Sequence, residues 1–345
     1  MGTSQVNILK PPQPVGILPS TSKGGRDLGE IPTVTDRLKA ASGILSACSL
    51  CGNRCGADRL AGDVTICEAN QLAEVSHVVV HRGEEPPISG TRGCGNVFFQ
   101  HCSLTCVFCQ NWQISSLNEI QGNEYSPEGL AMEFLRLQEA GVHTLGLVGA
   151  TSHLPTVVPA LIKARLQGLN IPVVHNSGGY DTVEALKMLD GLVDIYLPDM
   201  KYGSDEMARV YSGITNYVAV NRAAVREMYR QVGDLVVDCE GIGQRGLIVR
   251  HLVLPKGLSD TVEVLQWLAR DVSKSVAVSI MSQYNPAYQA STDMFPELNQ
   301  RISKSDYQYY IAVAEELGFE TIFTQDIDSA ENYNPDFSLD VPFTL

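Results

Sequence analysis

From residue 96 onward, short apolar runs alternate with segments whose apolar positions recur at helical spacing. The runs at 97–99, 144–148, 172–175, 193–197, 247–254, 276–280 and 320–323 are short and rich in Val, Ile and Leu, which predicts strands. Helical patterns at 154–167, 182–189, 261–272 and 305–317 lie between them. Ser126-Pro127-Glu128 marks a further helix start, with Ser at the N-cap and Pro at the first helical position. That helix runs through Met132, Phe134, Leu135 and Leu137 and stops at Gly141. Strand–helix alternation implies parallel strands in an α/β layer fold. Seven strand segments fit a full or partial barrel better than two domains.

The N-terminal third reads differently. Residues 1–36 carry Pro11, Pro12, Pro14, Gly24 and Gly25 and no apolar core segment. They predict a loosely structured arm and exclude a signal peptide. A cysteine module at 37–82 follows, then a loop (GEEPPISGTRGCG) opening the main domain at 83–327, with a tail at 328–345. No run of about 18 apolar residues is present, so no membrane span is expected. The net charge of −14 argues against non-specific binding to nucleic acid. Eight of the nine cysteines lie between Cys48 and Cys109. That clustering favours metal ligation over disulfides, and a reducing cytoplasm as the location.

The sharpest chemical signal is His101-Cys102-Ser103-Leu104-Thr105-Cys106-Val107-Phe108-Cys109, a C-x3-C-x2-C spacing. Thiolates are the usual ligands of iron–sulfur clusters. Three of them on a [4Fe–4S] cube leave one iron open to bind a small molecule and pass it an electron. Zinc normally takes four ligands, which argues against zinc at this triplet. A second set, Cys48, Cys51, Cys55 and Cys67, has the spacing C-x2-C-x3-C-x11-C. Four thiolates complete a tetrahedral zinc site or a fully ligated iron–sulfur cluster equally well, and the spacing does not choose. Gly52, Gly56 and Gly62 suit the tight turns such sites need. Cys94 and Cys239 are expected to be structural.

In a parallel barrel, chemistry gathers at the C-terminal ends of the strands. Here those ends read Gly149-Ala150-Thr151, Asn176-Ser177-Gly178-Gly179, Asp199-Met200-Lys201, Arg250-His251 and Met281-Ser282-Gln283-Tyr284. Period-two alternation puts Asp199 and Lys201 on one side of the sheet, as site residues or as an ion pair. Gly178-Gly179 is either a turn or part of the site. His251 among apolar residues is either a satisfied core histidine or a ligand contact.

At the triplet the chain resembles the radical S-adenosylmethionine (SAM) superfamily, whose signature is C-x3-C-x-(aromatic)-C, with Phe108 in the aromatic slot. The resemblance spans about 48–323 and includes PPISGTRGCGNVFFQHCSLTCVFCQNWQIS, YLPDMKY, RGLIVRHLVLP and IMSQYNP. Within the superfamily these residues resemble the pyruvate-formate-lyase activating subgroup that carries an N-terminal cysteine module. The resemblance implies a partial (β/α)6 barrel and a [4Fe–4S] cluster on Cys102, Cys106 and Cys109. SAM would bind the open iron and be cleaved to a 5′-deoxyadenosyl radical. It implies SAM contacts from Phe108, Gly149, Asn176, Ser177, Asp199, Lys201 and His251, with Phe108 against the adenine, Lys201 near the carboxylate and His251 at the ribose. This chain departs from the family's double glycine, having Gly149 followed by Ala150. The implied partners are a low-potential electron donor such as flavodoxin or ferredoxin, and a separate glycyl-radical enzyme as protein substrate. The alternatives are radical modification of another peptide or small metabolite, and a non-catalytic metal-binding regulator.

Overall fold

Parallel strands covered on both faces read as continuous apolar runs, and such runs form the centre of this protein. In the computed structural model the described residues are 6–10, 33–63, 65–115, 120–331 and 334–343. Their strands are β1 (Val6–Lys10), β2 (Ala73–His81), β3 (Cys94–Phe99), β4 (Asn123–Tyr125), β5 (Thr144–Val148), β6 (Val173–Ser177), β7 (Ile195–Pro198), β8 (Val236–Val237), β9 (Gly243–Leu252), β10 (Ala277–Met281) and β11 (Ile322–Gln325). The sheet order is β1-β11-β10-β9-β7-β6-β5-β3-β2-β4, with β8 paired to β9. From β3 to β11 every pairing along that path is parallel. Antiparallel β1 and β2 flank the run on its two sides. The sheet does not close, and its seven parallel strands are joined by six helical crossovers. This is the partial (β/α)6 barrel expected from the resemblance.

Local chemistry explains where the crossovers begin and end. Ser126 accepts from Gly129 N and Pro127 takes the first turn of helix Pro127–Glu139. Thr182 accepts from Ala185 N at helix Val183–Leu189, and Ser303 from Asp306 N at helix Lys304–Leu317. Gly318 ends the last of these in the left-handed conformation that favours glycine. Helices Leu154–Leu166 and Thr261–Asp271 complete the expected set. The crossover from β7 to β9 holds two helices that the pattern left unassigned, Asp205–Ser212 and Tyr217–Val232.

Several terminal segments meet the barrel. The arm expected at 1–36 lies mostly outside the described residues, and within it β1 pairs with β11. Within 37–82, β2 pairs with β3 and so belongs to the main sheet. Within 328–345, the rings of Phe337 and Phe343 pack on Phe98 at 5.4 and 5.6 Å between centroids. No helix among the described residues is long and apolar enough to cross a membrane.

Candidate active site

An open-mouthed cavity of about 220 Å³ lies at the C-terminal ends of the parallel strands. β5 contributes Val148 and Gly149, β6 contributes Asn176 and Ser177, and Asp199 and Lys201 follow β7. β9 contributes Arg250 and Leu252, and Met281 and Gln283 stand at the end of β10. One wall is the loop after β3, with Cys102, Cys106, Phe108 and Cys109. The rim includes Phe98, Phe343, His81 and Glu84.

The cysteine loop is fixed from several sides. Ser212 Oγ donates to Cys106 Sγ at 2.9 Å, and Val107 N donates to Tyr211 O at 2.9 Å. Ala290 N donates to Val107 O at 2.9 Å. Gln110 and Gln283 exchange bonds, Nε2 to backbone O at 3.1 Å and Nε2 to Oε1 at 3.2 Å. Leu104 N donates to Cys102 Sγ at 3.5 Å, and Cys109 Sγ lies 3.2 Å from Ser115 Oγ. His101, just ahead of Cys102, holds a left-handed backbone (φ 66°), and its Nε2 lies 2.6 Å from Glu74 Oε2. The ring of Phe108 meets Tyr202 and Tyr284 edge-on. Burial pushes the Cys102 thiol up to about 12, with repulsion from Cys106 adding to it, and burial raises Cys106 and Cys109 as well. Three desolvated sulfurs facing one cavity are a poor place for bare thiolates and a good one for thiolates bound to a cationic metal core.

Opposite the loop, Lys201 Nζ donates to Asp199 Oδ2 at 2.6 Å. Burial works against the Lys201 charge, but Asp199 outweighs it and the ammonium is held above its ordinary range. The strand end beneath is pinned by the unassigned helix Tyr217–Val232. Tyr217 Oη accepts from Lys201 N at 2.9 Å and bonds the carbonyls of Gly178 and Asp199 at 3.0 and 3.1 Å. Asn221 Nδ2 donates to Gly179 O and Asp199 O, each at 2.9 Å. Gly179 adopts φ 69°, and a Cβ there would collide with the Asp199 carbonyl and the Asn221 amide. The Gly178-Gly179 pair is thus both a turn and a close packing contact beside the site.

Ser177 Oγ donates to Asp181 Oδ2 at 2.7 Å and accepts from Gly179 N at 3.2 Å. Asp181 also accepts from Thr151 Oγ1 at 2.8 Å and lies 3.1 Å from His175 Nε2. Burial opposes its charge, yet His175 and these hydrogen bonds hold its carboxyl below the ordinary range. Gly149 is left-handed (φ 75°), and its N donates to Asn176 O at 2.9 Å. That single glycine makes the turn at the end of β5, and Ala150 behind it is fully buried.

The structure brings together Cys102, Cys106, Cys109, Phe108, Gly149, Asn176, Ser177, Asp199 and Lys201, and it leaves His251 out. His251 Nδ1 lies 2.6 Å from Met200 O and Nε2 lies 2.8 Å from Thr261 Oγ1, so both nitrogens are spent on the protein. In this arrangement His251 is a satisfied core histidine, so the ribose contact that the resemblance implies has no support from its position. Alternation explains it: Arg250 and Leu252 line the cavity, so His251 between them points the other way. Arg250 is the inward residue. Its guanidinium lies 3.1 Å from Glu84 Oε2, 3.7 Å from Glu85 Oε1 and 3.8 Å from Asp199 Oδ1. Sequence reasoning missed Arg250, Glu84 and His81. The only signal was that Arg250 is the other polar residue in the apolar stretch that holds His251.

The second cysteine set gathers beside the barrel. Cys48 N donates to Ala57 O at 3.0 Å and Gly56 N donates to Cys48 O at 2.9 Å, closing the loop around Cys51 and Cys55. Burial raises the Cys51 thiol to about 11, with smaller contributions from Cys67, Cys48 and Cys55. Arg59 Nη2 donates to Cys48 Sγ at 3.2 Å, and Thr65 Oγ1 lies 3.3 Å from Cys67 Sγ. Cys94 is buried, and its Sγ donates to Asn96 Oδ1 at 2.9 Å; Cys239 is exposed.

By sequence the chain is similar to the uncharacterized protein MJ0674 of Methanocaldococcus jannaschii. It is 29% identical over 303 residues, which cover 85% of this chain and 81% of the relative. Among solved structures the chain is similar to HydG, a maturase of the [FeFe]-hydrogenase, with TM-score 0.46, 16% identity, and coverage of 83% of this chain and 55% of HydG. It is also similar to Streptococcus suis SuiB bound to precursor peptide SuiA, with TM-score 0.47, 9% identity, and coverage of 70% and 50%. The chain spans about half the length of both structures. The radical SAM superfamily profile matches residues 96–268, half of the chain and the part that holds the triplet, Asp199, Lys201 and β9 up to its end. The chain belongs to the radical SAM superfamily: it is an enzyme of the kind that cleaves SAM to a radical at an iron–sulfur cluster.

Proposed function

We propose that this enzyme is an activase of the glycyl-radical type, which removes a hydrogen atom from a backbone glycine of a separate protein. The observation that carries this reading is the half-buried Asp199–Lys201 pair, which lines the same cavity as the cysteine loop. A D-x-K at this strand end is the feature that the sequence shares with activases. In this reading Cys102, Cys106 and Cys109 hold the [4Fe–4S] cluster, and Phe108 lies against the adenine. Lys201 pairs with the SAM carboxylate, and the strand ends at Gly149, Asn176 and Ser177 receive the amino-acid and ribose groups. When bound, the cluster and SAM together supply a 5′-deoxyadenosyl radical. The protein orients SAM, keeps water out with Phe98, Phe343 and Phe108, and balances charge with Asp199, Lys201 and Arg250.

Cys48, Cys51, Cys55 and Cys67 form a second metal site, zinc or iron–sulfur, in a module built on segment 37–82. The electron donor is a flavodoxin or a ferredoxin. A reducing cytoplasm is the compartment that nine cysteines without a disulfide suit.

The test is to incubate the reduced, iron-loaded enzyme and SAM with a glycyl-radical enzyme encoded beside it. A doublet EPR signal from the glycyl radical is expected. If 5′-deoxyadenosine forms with a different peptide or a small metabolite and no doublet appears, the activase reading falls and the family assignment stands.

A further inference from the structure

Residues 334–343 form a loop closed on itself. Asp336 N donates to Pro342 O at 2.9 Å, Leu339 N to Asp336 O at 3.2 Å, and Ser338 Oγ to Asp336 Oδ1 at 2.8 Å. The loop turns two rings toward the barrel. Phe337 is 1% exposed and lies against His77 and Phe98, and Phe343 lies 4.2 Å from the ring of His81. His77, Val79 and His81 alternate along β2 and so share the face that receives these rings. β4 pairs with Ala73, Glu74 and Val75 of β2, so from His77 onward β2 is the edge at which the open sheet stops.

This loop is tied lightly to what it covers. Among the described residues its hydrogen bonds to the barrel are three. Gln113 Nε2 donates to Asp336 Oδ1 at 3.1 Å, Phe337 N to Gln113 Oε1 at 2.9 Å, and His77 Nε2 to Leu339 O at 3.1 Å. Gln113 sits in the short helix Trp112–Ser115, just after the cysteine triplet. No residue of the loop belongs to a strand. Its internal bonds would travel with it, so it can leave as a unit without breaking a strand pairing.

What lies under the loop is the active-site cavity itself. Phe98, Ile114 and Val148 pack with Phe337 and Phe343 in one apolar cluster, and the same three side chains line the cavity. Pro335 and Phe343 reach into its wall from the loop. With the loop seated the cavity measures about 220 Å³. Pockets for one drug-sized molecule run about 300–1,000 Å³, so SAM together with a segment of another protein exceeds the space. Lifting the loop would join the cavity to an apolar trough on β2 and β3, on the side where the sheet is open.

We propose that residues 334–343 are a plug in the docking groove of the protein substrate. The substrate enters by displacing the plug and seats an aromatic or large aliphatic side chain of its own against Phe98. That the occupant is a segment of protein rests on the activase reading. The groove has the chemistry for it, since the segment now seated there is a peptide anchored by two phenylalanines. The mouth stays shut while no substrate is bound, and opening is coupled to docking because both use the same face of β2 and β3.

The test follows hydrogen exchange at the Phe337 and Leu339 amides of the full, iron-loaded chain. Mixed with a glycyl-radical enzyme encoded beside it, both amides should exchange about tenfold faster or more, while β5, β6 and β7 stay protected. If the two proteins bind and these amides exchange at the same rate or more slowly, displacement is overturned. A second measurement needs no partner. A fluorescent peptide with the sequence of residues 334–343 is titrated against the unaltered chain and against Gln113→Ala, whose own loop has lost two hydrogen bonds. The peptide should bind Gln113→Ala about tenfold more tightly than the unaltered chain. The same peptide with both phenylalanines replaced by alanine should not bind. Binding to neither chain, or equal binding by the two chains or the two peptides, removes the groove. If the plug peptide binds as expected while the glycyl-radical enzyme neither associates nor gives a doublet, the activase reading falls and the groove stands.

Discussion

In the proposed reading, Lys201 is the residue on which SAM recognition turns. Its ammonium is paired with Asp199 at 2.6 Å, and Arg250 lies 3.8 Å from the same carboxylate. Removing it leaves Asp199 with Arg250 as its remaining cation, so the fold should survive while the cavity loses a donor. Loss of one charge-assisted hydrogen bond costs about 1.5–3 kcal/mol. Lys201→Ala should therefore weaken SAM binding by roughly one to two orders of magnitude. Calorimetry on the iron-loaded protein measures this, and an unchanged Kd would take Lys201 out of the site. His251 makes the contrast. It is as polar and as near in sequence to the site, yet His251→Asn should leave SAM affinity unchanged while lowering stability, because its bonds go to Met200 and Thr261.

The elements position these side chains through backbone contacts. Helix Tyr217–Val232 sends Tyr217 and Asn221 under the ends of β6 and β7, where they bond the carbonyls of Gly178, Gly179 and Asp199. Gly179 allows the close approach. At φ 69° and with Asp199 O and Asn221 Nδ2 where a Cβ would stand, it has no room for a side chain. Gly179→Ala should destabilise by about 2 kcal/mol or more, beyond the modest gain a Gly→Ala change gives at an unstrained position. A thermal melt measures the loss. A melting temperature at or above the parent's would show that the turn relaxes freely. The helix itself was not foreseen, because nothing in its sequence announces that Tyr217 and Asn221 spend their polar ends on a strand terminus.

For the whole molecule, buried neutral histidines set a pH dependence. Burial lowers His153 from its ordinary value near 6.5 to about 3, and His251 to about 4. Between those limits the unfolded chain binds protons at both positions and the folded chain does not. Stability is therefore fully present above pH 6.5 and falls as pH drops through the window. Each histidine contributes a slope of at most about 1.4 kcal/mol per pH unit. The urea midpoint should be lower at pH 5 than at pH 7, and His153→Gln should flatten the difference. A midpoint independent of pH across that range would mean that these rings are charged in the folded state. At this scale too, the cysteine loop after β3 is held by Asn53, Ser212, Ala290 and Gln283, which come from widely separated parts of the chain.

The sequence by itself determined the repeating strand–helix order and the metal chemistry. Both are carried by local signals: apolar runs of strand length, caps at Ser126, Thr182 and Ser303, and three cysteines at fixed spacing. It also pointed to Asp199 and Lys201 as a pair, but both lie beyond the end of β7, and the turn after the strand brings them together. Tertiary structure alone decided which of Arg250 and His251 faces the cavity. β9 is apolar on both faces, so its pattern has no phase, and only pairing with its neighbours, including the bridge from Asp199 to Arg250, sets the direction. It decided likewise that Glu84, His81 and Phe343 reach the same cavity, and that Arg59 lies against Cys48. Those contacts join parts of the chain far apart in sequence or hidden within a loop, where no periodicity links one residue to the other.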